Sequence, residues 1–141
     1  MFSAINLLGQ MIKMLSTVEF ENASSRTRAE PVEVWKTRKF IEEYSGEALS
    51  LGRVAKAVNV HPNYLCEKFK QVTGMNFVEY VARTRFEEAC RLLRDGNLWI
   101  IDIAFAAGFQ SLSQFNRVFK RFSGKSPTQY RAAKGIGRRH R

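Results

Sequence analysis

One short passage occurs twice in this chain, about fifty residues apart, and the duplication limits the possible folds more than any other feature. At an offset of 49, Ala55 meets Ala104. Further on the offset is 50, and Phe69 meets Phe119, Lys70 meets Lys120, Gly74 meets Gly124 and Tyr80 meets Tyr130. Leu65/Phe115 and Thr73/Ser123 are mild changes at the same offset. The second copy therefore has one extra residue near the turn at its centre. In the first copy Ser50 can cap a helix whose apolar positions are Leu51, Val54, Ala55 and Val58. The turn Asn59-Val60-His61 follows, and Pro62 opens a helix with Leu65, Phe69 and Val72 inside. In the second, Ile100, Ile101, Ile103, Ala104 and Ala107 precede Gly108-Phe109. Ser111 or Ser113 then starts a helix with Phe115, Phe119 and Phe122 inside. A glycine, Gly74 or Gly124, closes each copy.

Between the copies, Asn76 can cap a long helix carrying Phe77, Tyr80, Val81, Ala89, Leu92 and Leu93 on one face, stopped by Asp95-Gly96-Asn97. From Asn76 to Asp95 it would span roughly 30 Å at about 1.5 Å per residue. Val34, Trp35, Phe40, Ile41 and Tyr44 form a helical face before the first copy, and Pro127 opens a short helix after the second. The expected fold is all-α: two helix-turn-helix subdomains joined by a long linker helix, about seven helices, with an additional N-terminal helix. That extra helix is residues 1–20, an amphipathic stripe of Phe2, Ile5, Leu8, Ile12 and Leu15, read as the remnant of an upstream sensor or dimerisation domain. Residues 21–30 read as a linker and 31–134 as one domain, with the two units at about 50–74 and 99–124. Residues 135–141 read as a basic disordered tail.

Charge narrows the partner. The formal net charge is +10, and from Trp99 to Arg141 nine Lys and Arg residues face Asp102 alone. So one-sided a balance favours an anionic partner over a merely solvated face. No apolar run reaches the roughly 18 residues a membrane span needs, so a membrane-bound form is not expected. The two cysteines, Cys66 and Cys90, form no CxxC, and the histidines His61 and His140 lie far apart, so neither a zinc site nor another cofactor is expected. No carboxylate pair, triad or phosphate loop suggests an enzyme. A reducing cytoplasm is the simple reading of these two thiols.

A doubled helix-turn-helix suits double-stranded DNA for geometric reasons. A small residue in the first helix, Ala55 or Ala104, lets the second cross closely. Asn59 or Gly108 supplies a permissive turn, and Val60 or Phe109 plugs the angle. The second helix can then lay its outer face in the major groove. With the long helix as a ruler, two such helices could enter successive grooves. On the outer faces, Asn63, Gln71 and Gln114 can pair with adenine edges, Glu67 can accept from cytosine, and Arg117 can grip guanine. Lys70, Lys120, Arg121, Lys125 and Arg131 are expected at phosphates. Phe115, Phe119 and Phe122 read as core, Trp35 and Trp99 as core or its edge, and Cys66 and Cys90 as small packing residues. Competing readings are a nonspecific basic nucleic-acid or membrane-surface binder, and a DNA-binding domain attached to a DNA-repair alkyltransferase.

The segments Ser50-Leu51 to Gly74, Phe77 to Leu93, Ile103-Ala104 to Gly108-Phe109, Phe115-Asn-Arg-Val-Phe-Lys-Arg121 and Gly124-Lys-Ser-Pro-Thr-Gln-Tyr-Arg131 resemble the DNA-binding domain of AraC/XylS transcription regulators. The resemblance covers about residues 35–133. It implies seven helices in two subdomains, binding to promoter DNA, and activation through recruitment of RNA polymerase. It places base reading on Asn63, Cys66 and Glu67 in the first unit and on Ser113, Gln114 and Arg117 in the second. Glu67 departs from the basic or polar donor that many members have there, and Cys66 is a weak reader, so the second unit is expected to supply much of the affinity. The resemblance also implies a separate upstream domain, and the N-terminal region could join two copies as a homodimer.

Overall fold

A computed structural model describes residues 30–136. The chain divides into two units, residues 1–32 and 33–141, and the architecture below concerns the second. The expected helix at 1–20 and, of the expected tail at 135–141, residues 137–141 lie outside the described residues. Seven α-helices and no strands are found among the described residues: α1 Val32–Tyr44, α2 Leu51–Ala57, α3 Pro62–Thr73, α4 Phe77–Leu93, α5 Ile100–Ala106, α6 Leu112–Ser123 and α7 Pro127–Ala133. The all-α fold with two helix-turn-helix units about a linker helix is thus as expected. None of these helices is long and apolar enough to cross a membrane.

The helix starts follow from local chemistry. The side chains of Ser50, Asn76, Ser111 and Ser126 each accept the amide N–H three residues on, satisfying a donor the helix leaves open. Ser126 and Gln129 complete the reciprocal pair of a capping box. His61 caps α3 in another way, its Nδ1 accepting the Asn63 amide at 3.2 Å.

Two cores form, one around each helix-turn-helix. Val34, Ile41, Val54, Ala55, Leu65, Phe69, Phe77 and Val81 make the first. Ala89, Leu93, Ile103, Ala104, Ala107, Phe109, Phe115, Val118 and Phe119 make the second. Helix α4 serves both, packing on α3 near its start and on α5 and α6 further along. It is shorter than expected, 17 residues, or about 25 Å, because the backbone leaves the helix at Arg94, ahead of the Asp95-Gly96 turn. Three packing assignments also change, and the first is Cys66, which is exposed on the outer side of α3. Val72 is 39% exposed, since the last turn of α3 runs past the core that Leu65 and Phe69 fill. Trp99 is 46% exposed, because it sits at the N-terminal boundary of α5.

Candidate nucleic-acid interface

The repeat in the letters is a repeat in hydrogen bonds. In each unit the amide after the left-handed residue reaches back to the small alanine of the first helix: Val60 N–H to Ala55 O and Phe109 N–H to Ala104 O, both at 3.0 Å. The left-handed residues are Asn59 at φ 61° and Gly108 at φ 100°. At the other end, the Thr73 hydroxyl donates to Phe69 O (2.7 Å) and accepts from the Met75 amide (3.2 Å). The Ser123 hydroxyl does the same with Phe119 O (2.8 Å) and the Lys125 amide (3.1 Å). Gly74 and Gly124 both cap at φ 76°. Each second helix is also held by an edge-to-face aromatic pair, Phe69 on Tyr80 at 5.1 Å and Phe119 on Tyr130 at 5.2 Å. The extra residue of the second unit is Gln110, and its amide is taken by the Gln114 side-chain oxygen at 3.0 Å.

With the inner sides of α3 and α6 committed to the cores, their outer sides can be compared directly. On α3, Asn63, Cys66, Glu67 and Lys70 are exposed at spacings of three and four. On α6, Ser113, Asn116, Arg117 and Lys120 are exposed at the same spacings and at the same places in the repeat. Each set forms one outward stripe of polar and charged groups, the chemistry that base edges and phosphates require. Asn116, the counterpart of Cys66, was not singled out as a reader, although the repeat itself points to it.

Other expected residues carry additional structural tasks. Gln114 is half-buried, and its amide oxygen already holds the turn, so its NH2 group remains the freer end. Its counterpart Tyr64 donates its hydroxyl to Glu33 Oε1 at 2.7 Å, tying α3 to α1. That bond holds the Glu33 carboxyl below its ordinary range and raises the Tyr64 hydroxyl. Arg121 forms an ion pair with Glu79 of α4 at 3.1 Å and lies over the Phe122 ring. Lys125 is exposed just beyond α6.

Arg131, expected at a phosphate, is a structural clasp instead. It is 6% exposed, and its guanidinium donates to Leu93 O (3.2 Å), Leu98 O (2.8 Å) and Asp95 O (3.1 Å). Leu93 closes α4, and Asp95 and Leu98 lie in the loop that leads to α5, so a planar cation with several donors ties the helix end to that loop. A buried group so bonded does not reach a phosphate. Among the described residues, no three His, Cys, Asp or Glu side chains come together as metal ligands would.

Comparison with known proteins agrees with this geometry. A helix-turn-helix domain model matches residues 54–133. The melibiose operon regulatory protein of Escherichia coli (strain K12) is 34% identical over 138 residues, covering 91% of this chain and 46% of that protein. The Msm operon regulatory protein of Streptococcus mutans is 30% identical over 125 residues, covering 89% and 44%. The chain thus spans about half the length of the curated relatives it matches. Among solved structures, the C-terminal domain of AraT, a response regulator from Geobacillus stearothermophilus, matches at 33% identity and a TM-score of 0.71, covering 74% of this chain and 87% of that one.

Proposed function

The chain belongs to the AraC/XylS family of helix-turn-helix DNA-binding transcription regulators, and from that premise we propose that it binds promoter DNA sequence-specifically through both α3 and α6, inserted into successive major grooves. The observation that carries this reading is the pair of matching outward stripes, Asn63/Cys66/Glu67/Lys70 and Ser113/Asn116/Arg117/Lys120, each presented by the same turn. Base reading falls on Asn63, Glu67, Ser113, Gln114 and Arg117, with Cys66 a weak apolar contact. Lys70, Lys120 and Lys125 neutralise phosphates, and Arg121 joins them if it releases Glu79.

The two stripes are not equal. Glu67 stands where the second unit has Arg117, so α6 supplies the larger share of affinity and α3 reads fewer bases. The protein acts as an activator that recruits RNA polymerase, in the bacterial cytoplasm with the chromosome, and a homodimer forms through the region preceding α1. It has no catalytic step. An alkyl-transfer role needs an activated thiolate, whereas burial pushes the Cys90 thiol up.

Selection of bound sequences from a random duplex pool, followed by competition of the winning site with heparin, RNA and unrelated duplex, tests the reading. A defined site that outcompetes all three supports it. Equal competition by any polyanion would show a nonspecific basic binder. Run-off transcription from a promoter carrying that site, with and without the protein, tests activation.

A further inference from the structure

Helix α4 buries a stripe at spacings of four: Phe77, Val81, Arg85, Ala89 and Leu93. The first two belong to the first core and the last two to the second. At the junction stands a cation. Arg85 is 9% exposed, its Nε donating to Ser45 O and its Nη2 to Glu47 O, each at 2.9 Å. Both carbonyls belong to the loop between α1 and α2, in the first unit. The turn of the second unit closes on the same place. A methyl group on Gly108 would stand 2.0 Å from Ser45 O, 2.9 Å from Arg85 Nε and 3.1 Å from Gly46 Cα. The loop of one unit, the middle of the shared helix and the turn of the other unit therefore meet at a single point.

Joining the two cores does not by itself require a cation there. An apolar residue would continue the stripe without the cost of desolvating a guanidinium. Two directional bonds from a rigid fork supply something apolar contact does not, a fixed angle between the α1–α2 loop and α4. The glycine lets the second turn seat against that arrangement with no side chain between them.

We propose that Arg85, with Gly108 against it, sets the separation and phase of the two DNA-reading units, and so determines which spacing between half-sites the protein accepts. Arg85 is a positioning residue, touching no DNA itself. The inference rests on the reading of α3 and α6 as the two DNA-binding helices. One base pair inserted between half-sites moves one of them by about 3.4 Å and turns it by about 34°, so a rigid protein senses a change that small.

The test compares the whole chain with Arg85→Lys and Gly108→Ala on three kinds of duplex: the selected site, versions with one base pair added or removed between half-sites, and a single half-site. The wild type is expected to lose about tenfold on altered spacing, in the range of one mismatched pair. Arg85→Lys is expected to lose most of that discrimination while binding the single half-site as the wild type does, and Gly108→Ala, which also strains the turn presenting α6, is expected to lose it together with some half-site affinity. Parallel weakening on every duplex, with the spacing ratio unchanged, would show Arg85 only stabilising the fold and overturn the inference. A wild type that selects no site would instead defeat the underlying functional reading. A measurement without DNA separates the two failures: spin labels on Cys66 and on an Asn116→Cys variant, in a Cys90→Ala background, report the distance between the outer stripes. Arg85→Lys should broaden that distance distribution, and an unchanged width would contradict the proposal.

Discussion

Glu67 and Arg117 occupy one place in the repeat with opposite charge, and the proposed reading puts the main difference between the two units there. Arg117→Ala should cost about 1–3 kcal/mol at one base pair and relax specificity there, read by titrating single-base variants of the selected site. Lys120→Ala should weaken binding about equally on all sequences and reduce the slope of log affinity against log salt by about one. Glu67→Gln should raise affinity for duplexes in general, since a carboxylate near phosphates is repelled. Glycines with similar φ also differ in kind. Gly74 and Gly124 have nothing within 4 Å of an added Cβ, so alanine there costs only the left-handed backbone, about 1–2 kcal/mol. Alanine at Gly108 adds a collision with Ser45 O and should cost more, as chemical denaturation of the three variants would show. The capping roles of Gly74 and Gly124 were legible, because glycine after a helical pattern has a local meaning. The role of Arg131 was not: in a basic segment its letter looks like a phosphate contact, and only the tertiary fold shows that its guanidinium is spent on the end of α4.

Helices were legible where their starts carry a cap, as at Ser50, Asn76 and Ser111, or a proline, as at Pro127, whereas the cap at Ser126 came from the structure alone. Ser126→Ala should destabilise by about 0.5–2 kcal/mol, measured as a shift in denaturation midpoint. The docking of α1 on α3 was not legible, because Glu33 and Tyr64 lie far apart in sequence and form no motif. Their bond gives a pH signature. Glu33 has its folded pKa lowered, chiefly by the Tyr64 hydrogen bond. Its contribution is therefore present above the unfolded carboxylate pKa and lost as pH falls through the lower folded value. Tyr64 has its folded pKa raised, chiefly by Glu33, so its contribution is lost as pH rises through that higher value. Tyr64→Phe should accordingly lower Tm at neutral pH and leave it close to wild type in acid, and an equal loss at both would exclude the pair as the cause. The shorter linker helix belongs at this scale too. Apolar letters up to Asp95 suggested a longer rod, but Arg94 and Asp95 already belong to the loop that Arg131 gathers.

At the scale of the molecule, the duplication was the most legible property, since two matched sets of core residues admit few arrangements other than two matched units. Less legible was the way the units are joined, which turns on a buried arginine inside an otherwise apolar stripe. The spacing of Phe77, Val81, Ala89 and Leu93 leaves a gap at Arg85, and that gap was the available signal. The outward stripes of α3 and α6, carried on one linker helix, are the basis for reading two grooves with a single chain. Hydroxyl-radical footprinting of the selected site tests that reading most directly. The account predicts two protected stretches on one face of the duplex, centred about one helical turn, 10–10.5 base pairs, apart, the stretch under α6 being the more strongly protected. A footprint confined to one half-turn, unchanged when Glu67 and Asn63 are replaced by alanine, would contradict it.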